Sequence, residues 1–260
     1  MDTAHNELVR QEFAKQAASF EDPQYSFAHP RLISWILSHV PVEPHFTVLD
    51  VAAGTGHLAR TLAPLVHQVV AVDLTPEMLA AGKQQADAAG IENVLFERGD
   101  AAALPYLDDS FDLVVSRFAI HHFSEPATQT AEMIRVCRRG GRVAVIDLVA
   151  AEPELAERYN ELERLRDPSH TYALPAERLV ELLEASGARI EQQNSHDQKL
   201  DVERWLAQAD TRPDLAERIR AELRAELAGG SSTGMRPSLE EGGLYFTQRW
   251  VILLASKRAP

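Results

Sequence analysis

The chain has 260 residues, 45% hydrophobic and 25% charged, the proportions of an ordinary soluble globular protein with enough length to bury a substantial core. Its 39 acidic and 26 basic side chains leave a formal charge of −13, which argues against a nucleic-acid backbone as the principal partner because such binding leans on clustered Lys and Arg. A single cysteine, Cys137, excludes an internal disulfide and a multi-cysteine metal site, and the ten histidines are scattered without zincin-type spacing, so no metal is expected.

Leu8, Val9, Phe13, Ala17 and Phe20 form a helix-like apolar stripe. The acids among the first 30 residues do not suit a signal peptide, and no apolar run approaches the roughly 18 residues that span a bilayer, so the expected location is cytoplasmic. A turn-rich stretch with Tyr25 and Phe27 leads to a second helix opening at His29-Pro30. Its Leu32, Ile33, Ile36, Leu37 and Val40 share one face, and the prolines at 41 and 44 end it.

Residues 46–49 have the length and branching of a buried strand. The strand ends at Asp50, passes a small-residue turn closing on Gly54-Thr55-Gly56, and enters a helix to about Leu65. A second strand at 68–73 also ends in an acid, and Thr75-Pro76-Glu77 is a helix start, a capping residue followed by proline at the first helical position. Further strands follow at 93–98, 111–116 and 142–149, with a helix over about 126–137 before the last. Nearly all-apolar strands alternating with helices mean a parallel sheet covered on both faces. Beyond residue 150 helical stripes dominate. A sixth strand is expected at 188–195, a Gly-Ser loop at 229–234 and a last strand at 244–256.

Asp50, Asp73 and Asp100 fall at the carboxyl ends of successive strands, which share one edge of an open parallel sheet where ligands bind. An acid ending the second strand can accept from both hydroxyls of a ribose, and one ending the third can accept from an adenine amine. Residues 54–59 also fit the G-x-G-x-x-G/A fingerprint, so an NAD-dependent oxidoreductase is an alternative. A pyrophosphate beside Asp50 would be an awkward neighbour, whereas a cofactor carrying an ammonium and a sulfonium favours carboxylates nearby.

Val48-Leu-Asp-Val-Ala-Ala-Gly-Thr-Gly56 resembles the first motif of class I S-adenosylmethionine-dependent methyltransferases. Val69-Val-Ala-Val-Asp-Leu-Thr-Pro-Glu-Met-Leu79 is similar to their second-strand signature. Gly99-Asp-Ala-Ala-Ala-Leu-Pro105 and Asp109-Ser-Phe-Asp-Leu-Val-Val115 resemble their third- and fourth-strand segments. The subgroup it looks most like is that of the ubiquinone and menaquinone biosynthesis C-methyltransferases. Ala52 departs from the fullest pattern, which has a third glycine there.

The resemblance implies an α/β, Rossmann-like, doubly wound, mostly parallel seven-stranded sheet with helices on both faces and a helical lid. Its divisions would be an N-terminal helical cap at 1–45, a core at 46–150, a helical lid insertion at 151–187, and a C-terminal completion of the sheet with an inserted helical segment at 188–260. It implies methyl transfer from S-adenosyl-L-methionine, leaving S-adenosyl-L-homocysteine, to carbon, oxygen or nitrogen of a small molecule, by a monomer or homodimer. A non-methylating use of the same cofactor, assisting a cyclisation or sensing, is the other alternative.

By the same resemblance Asp50, Ala52, Gly54 and Gly56 surround the methionine part and Asp73 holds the ribose. Leu74 and Met78 pack on adenine, Asp100 and Ala101 bracket its edge, and Ser116 or Arg117 lies beside the sulfonium. Phe13, Phe20 and Tyr25 close over the pocket. His121 and His122 follow the fourth strand. Adjacent residues in extended chain point opposite ways, so His121 is expected as base or substrate contact and His122 as a structural residue. Arg166, His170 and Tyr172 lie where the family inserts substrate-covering helices and are lid candidates, His170 also a catalytic one.

Overall fold

A computed structural model describes residues 3–17, 20 and 30–258. Strands β1 (Thr47–Val51), β2 (Gln68–Asp73), β3 (Val94–Arg98), β4 (Phe111–Arg117) and β5 (Cys137–Val149) are parallel, in the spatial order β3-β2-β1-β4-β5. Helices α3 (His57–Leu62), α4 (Pro76–Ala88) and α5 (Pro126–Val136) connect them. Order reverses between β1 and β4, so the chain leaves these two strands in opposite directions and opens a crevice at their carboxyl ends. In register, Asp50 stands between Ala71 and Val115, and Val51 between Val72 and Ser116.

The sheet is completed antiparallel: β8 (Gly243–Lys257) lies between β5 and β6 (Ala188–Asp201). A short β7 (Pro237–Glu240) folds back on the start of β8 and makes eight strands where seven were expected. β5, β6 and β8 all run longer than their apolar segments, because antiparallel partners satisfy backbone groups that side-chain pattern does not reveal.

Alternate strand residues feed two cores. Val48, Leu113, Val115, Ile146, Trp250 and Ile252 face α2 (Pro30–His39), α3, α6 (Ala156–Arg166), α8 (Val202–Gln208) and α9 (Pro213–Leu227). Leu49, Val51, Val114, Val145, Val251 and Leu253 face α5 and α7 (Ala176–Ala185). Within the segment expected as a lid, α7 differs: Leu179 and Leu183 bury it on the sheet, whereas α6 packs with α9 on the cleft side. Helix α1 (Thr3–Gln16) rests against α4 at the cleft mouth.

Candidate functional site

The turn from β1 into α3 sets one wall. Ala52 (φ 54°), Gly54 (φ 58°) and Gly56 (φ 70°) all sit in the left-handed region, so the chain coils tightly and brings bare backbone to the crevice. Ala52 keeps the path a glycine would take, at a steric cost glycine would not have. Gly56 has a packing reason as well, since a Cβ there would lie 2.7 Å from the Phe96 ring.

Asp73, at the end of β2, accepts from the Gly54 amide at 2.7 Å and from the Thr75 amide at 2.8 Å. Burial raises its carboxyl above the usual range, against the pull of those amides. The Gly54 amide is therefore engaged with a carboxylate instead of being open to a pyrophosphate. Asp50 is buried, and its Oδ2 has no hydrogen-bond partner among the described residues. Burial pushes its pKa up to about 7, with Arg117 pulling it down and Asp73 pushing it further up. A buried acceptor without a donor, beside a second carboxylate, is the environment an ammonium would relieve. Asp100 accepts from the Ala102 amide at 2.8 Å and from Asn6 Nδ2 of α1 at 3.0 Å.

Asp73 and Asp100 open onto a cleft of about 1270 Å³, its open mouth included, and Asp50 lies beneath its wall. Ala52, Gly54, Asp73, Leu74, Asp100 and Ala101 line one part of it, and Val9, Phe13 and Phe20 cover it. Phe13 meets Phe20 at 6.1 Å and the His122 ring at 4.9 Å, both edge to face. After β4 the chain turns at Phe118, after Ala52 the second left-handed residue of the site that is not glycine (φ 53°), whose amide is held by the Ile146 carbonyl at 2.7 Å. A bulky side chain in that region is a strained turn held by its surroundings. Arg117, Phe118 and Ala119 line the cleft behind it.

Residues 120–122 form a single 3-10 turn, not extended chain, so both His121 and His122 reach the cleft, their ring centroids 4.2 Å apart. The expectation that only one could face it is corrected. His121 Nδ1 lies 2.5 Å from Asp147 Oδ1. Both are buried, at 6% and 2% exposure. Asp147 also accepts from the Ile120 amide at 2.7 Å and the Leu148 amide at 2.7 Å. A carboxylate oxygen accepts, so Nδ1 carries a proton in this contact, and Nε2 makes no hydrogen bond among the described residues. His122 Nδ1 donates to the Ser169 carbonyl at 3.0 Å, and burial and His121 lower its pKa to about 4, so it is neutral.

The remaining wall brings together Arg166, Asp167, Leu200, Trp205 and Gln248 from α6, β6, α8 and β8. Arg166 stacks on the Trp205 ring at 5.1 Å, and its Nε donates to the Trp205 carbonyl at 3.1 Å. Gln248 Nε2 donates to Glu163 Oε1 at 3.0 Å, which also takes the Tyr159 hydroxyl at 2.8 Å. Gln129 of α5 reaches the cleft with 5% exposure, and its Oε1, itself buried, has no hydrogen-bond partner among the described residues.

Not every expected residue lies on the wall. Met78 is fully buried in α4, and Asp50, Gly56 and Ser116 lie beneath the lining, the buried Ser116 Oγ without a partner among the described residues. His170 stands behind His121 at 5.4 Å between ring centroids and donates to Asn160 Oδ1 at 2.6 Å, so it supports the wall without lining it. Tyr172 packs on the core. Tyr25 lies outside the described residues. Sequence reasoning missed Asp147, whose signal is a lone acid inside the apolar run Val143–Val149, and it missed Asn6, Gln129, Trp205 and Gln248, for which no local signal exists.

A family model described as Methyltransferase domain matches residues 48–141. YcgJ of Bacillus subtilis, an uncharacterized methyltransferase, is 32% identical over 212 residues, 81% of this chain and 83% of that protein. A demethylmenaquinone methyltransferase of Renibacterium salmoninarum is 36% identical over 141 residues, 50% of this chain and 57% of that one. Among solved structures, BH2331 of Bacillus halodurans matches with a TM-score of 0.81 at 27% identity, covering 87% of this chain and 99% of that one.

Proposed function

The chain belongs to the class I S-adenosylmethionine-dependent methyltransferases, and from that premise we propose that it methylates a small molecule from S-adenosyl-L-methionine, with His121 as the base. When bound, the cofactor supplies a methyl carbon activated by the sulfonium. Asp73 would hold the ribose hydroxyls, since each of its oxygens has one backbone amide and one lone pair to spare. Asp50 would face the ammonium, and Asp100 and Ala101 the adenine edge, with Asn6 exchanging its place on Asp100.

The observation that carries the acid–base part is the buried His121–Asp147 contact. Asp147 fixes the ring and its tautomer, Nε2 takes the proton from the attacking hydroxyl, amine or activated carbon, and the carboxylate balances the imidazolium that results. His122, neutral and tied to Ser169, shapes the wall without competing for that proton. Phe13 and Phe20 exclude water from above.

The test is a thermal-shift comparison. S-adenosylhomocysteine raises the melting temperature and NAD leaves it unchanged. A rise with NAD alone would return the fingerprint at 54–59 to its dinucleotide reading and sink this one.

A further inference from the structure

Around His121 the charged groups differ in how well the protein satisfies them. Asp147 has the Ile120 and Leu148 amides and the His121 ring. Glu163 has the Tyr159 hydroxyl and the Gln248 amide. Asp167 Oδ1 takes the Ser169 amide at 2.9 Å and the Ser169 hydroxyl at 2.6 Å. Each carboxylate is supplied with donors.

Arg166 is the exception. Its side chain is about nine-tenths buried, and Nε has the Trp205 carbonyl. The two Nη groups, carrying four N–H bonds, make no hydrogen bond among the described residues, and the nearest carboxylate oxygen, Glu163 Oε2, is 3.9 Å away. Burial raises the Glu163 carboxyl, and Arg166 pulls it back down. The Trp205 ring covers the guanidinium at 5.1 Å and fixes its plane. A planar, fixed cation with spare paired donors on a cleft wall matches an oxyanion bidentately. Phe118, Leu148, Leu200 and Trp205 make the neighbouring wall apolar.

We infer that the methyl acceptor carries a carboxylate, gripped by Arg166 beneath Trp205, on an apolar body. This rests on the methyltransferase reading of the cleft. The class is that of carboxylic acids with an apolar body, aromatic acids among them.

The experiment uses the full chain saturated with S-adenosylhomocysteine and titrates two acids, benzoate and 4-hydroxybenzoate, each against its own amide by calorimetry. In the parent each acid binds at least about tenfold tighter than its amide. In Arg166→Met the ratio falls to about one, and in Arg166→Lys it is intermediate because charge remains without the fork. Equal affinities of acid and amide in the parent, or no binding of either acid at about 10 mM, overturn the inference. The two readings separate at the first step. Failure of the parent to bind S-adenosylhomocysteine removes the methyltransferase reading and this one with it, whereas cofactor binding without preference for the acid removes the carboxylate alone. Unchanged S-adenosylhomocysteine affinity in Arg166→Met shows that this variant is folded.

Discussion

Along the rim from Asp50 to Asp100, the carboxylates come from strand ends or the turns just after them, and Asp73 and Asp100 are met by amides of the turns beside them. Around His121 the groups come instead from the turn after β4, from β5, α6, α8 and β8, and meet only when the sheet is complete. The first half is built from strand ends and their neighbouring turns. The second is tertiary assembly, and on the proposed function it is the half in which acceptor recognition would change while the adenosyl half stayed as it is.

The sharpest way to break this division is Asp147→Asn. An amide cannot select the His121 tautomer as a carboxylate does, so turnover of the methyl acceptor is expected to fall about 1000-fold while S-adenosylhomocysteine affinity holds. Nitrogen NMR of the His121 ring, showing a proton on Nδ1 in the parent and a mixture in the variant, checks the cause without a substrate. Equal loss of cofactor binding would mean that the halves are not separable.

Asp73→Ala is the mirror experiment. It removes the ribose acceptor and leaves the Gly54 and Thr75 amides without partners, so S-adenosylhomocysteine affinity drops by about 3 kcal/mol, roughly 100-fold. Calorimetry reading a parent-like Kd would overturn the rim assignment.

A smaller effect is carried by protons on Asp50. Its folded pKa of about 7 lies above the 3.8 of an ordinary aspartate, so the folded ligand-free protein binds the extra proton. That contribution to stability is full below about pH 4 and is lost as pH rises to about 7. Ligand binding runs the other way, because an ammonium needs the ionised form, and S-adenosylhomocysteine affinity rises about tenfold from pH 6 to 8. Asp50→Asn flattens both profiles, measured by calorimetry and thermal melts. An unchanged slope in that variant would assign the proton elsewhere. The smallest effect is Ala52→Gly, which relieves the left-handed turn by about 1 kcal/mol and raises the melting temperature by about 2–4 °C.

The same division explains what could be read in advance. Strand ends at Asp50, Asp73 and Asp100 follow from apolar runs broken by an acid and a turn, and the parallel order follows from alternation with helices. The three rim acids therefore stood out. His121 and His122 were placed in the right connection, but a 3-10 turn is invisible to a two-residue alternation, so both face inward where one was expected. His170 and Tyr172 sit in the expected segment, yet Asn160 and the core take their side chains, partners that no spacing near them announces. Met78 reads equally well as adenine contact or core, and burial puts it in the core. Gln248, 89 residues from its partner Tyr159, is legible only in three dimensions.

Helix α1 touches both halves at once. Asn6 leans on Asp100, and His5 donates to the His122 carbonyl at 2.8 Å. Ties of this kind contribute about 1 kcal/mol each, and the Phe13 ring adds its packing on Phe20 and His122. A nucleoside claiming Asp100 would displace Asn6 and so weaken one of the two ties of the helix that leans over the histidines. One short segment of chain would thereby carry news of what occupies one half to the other.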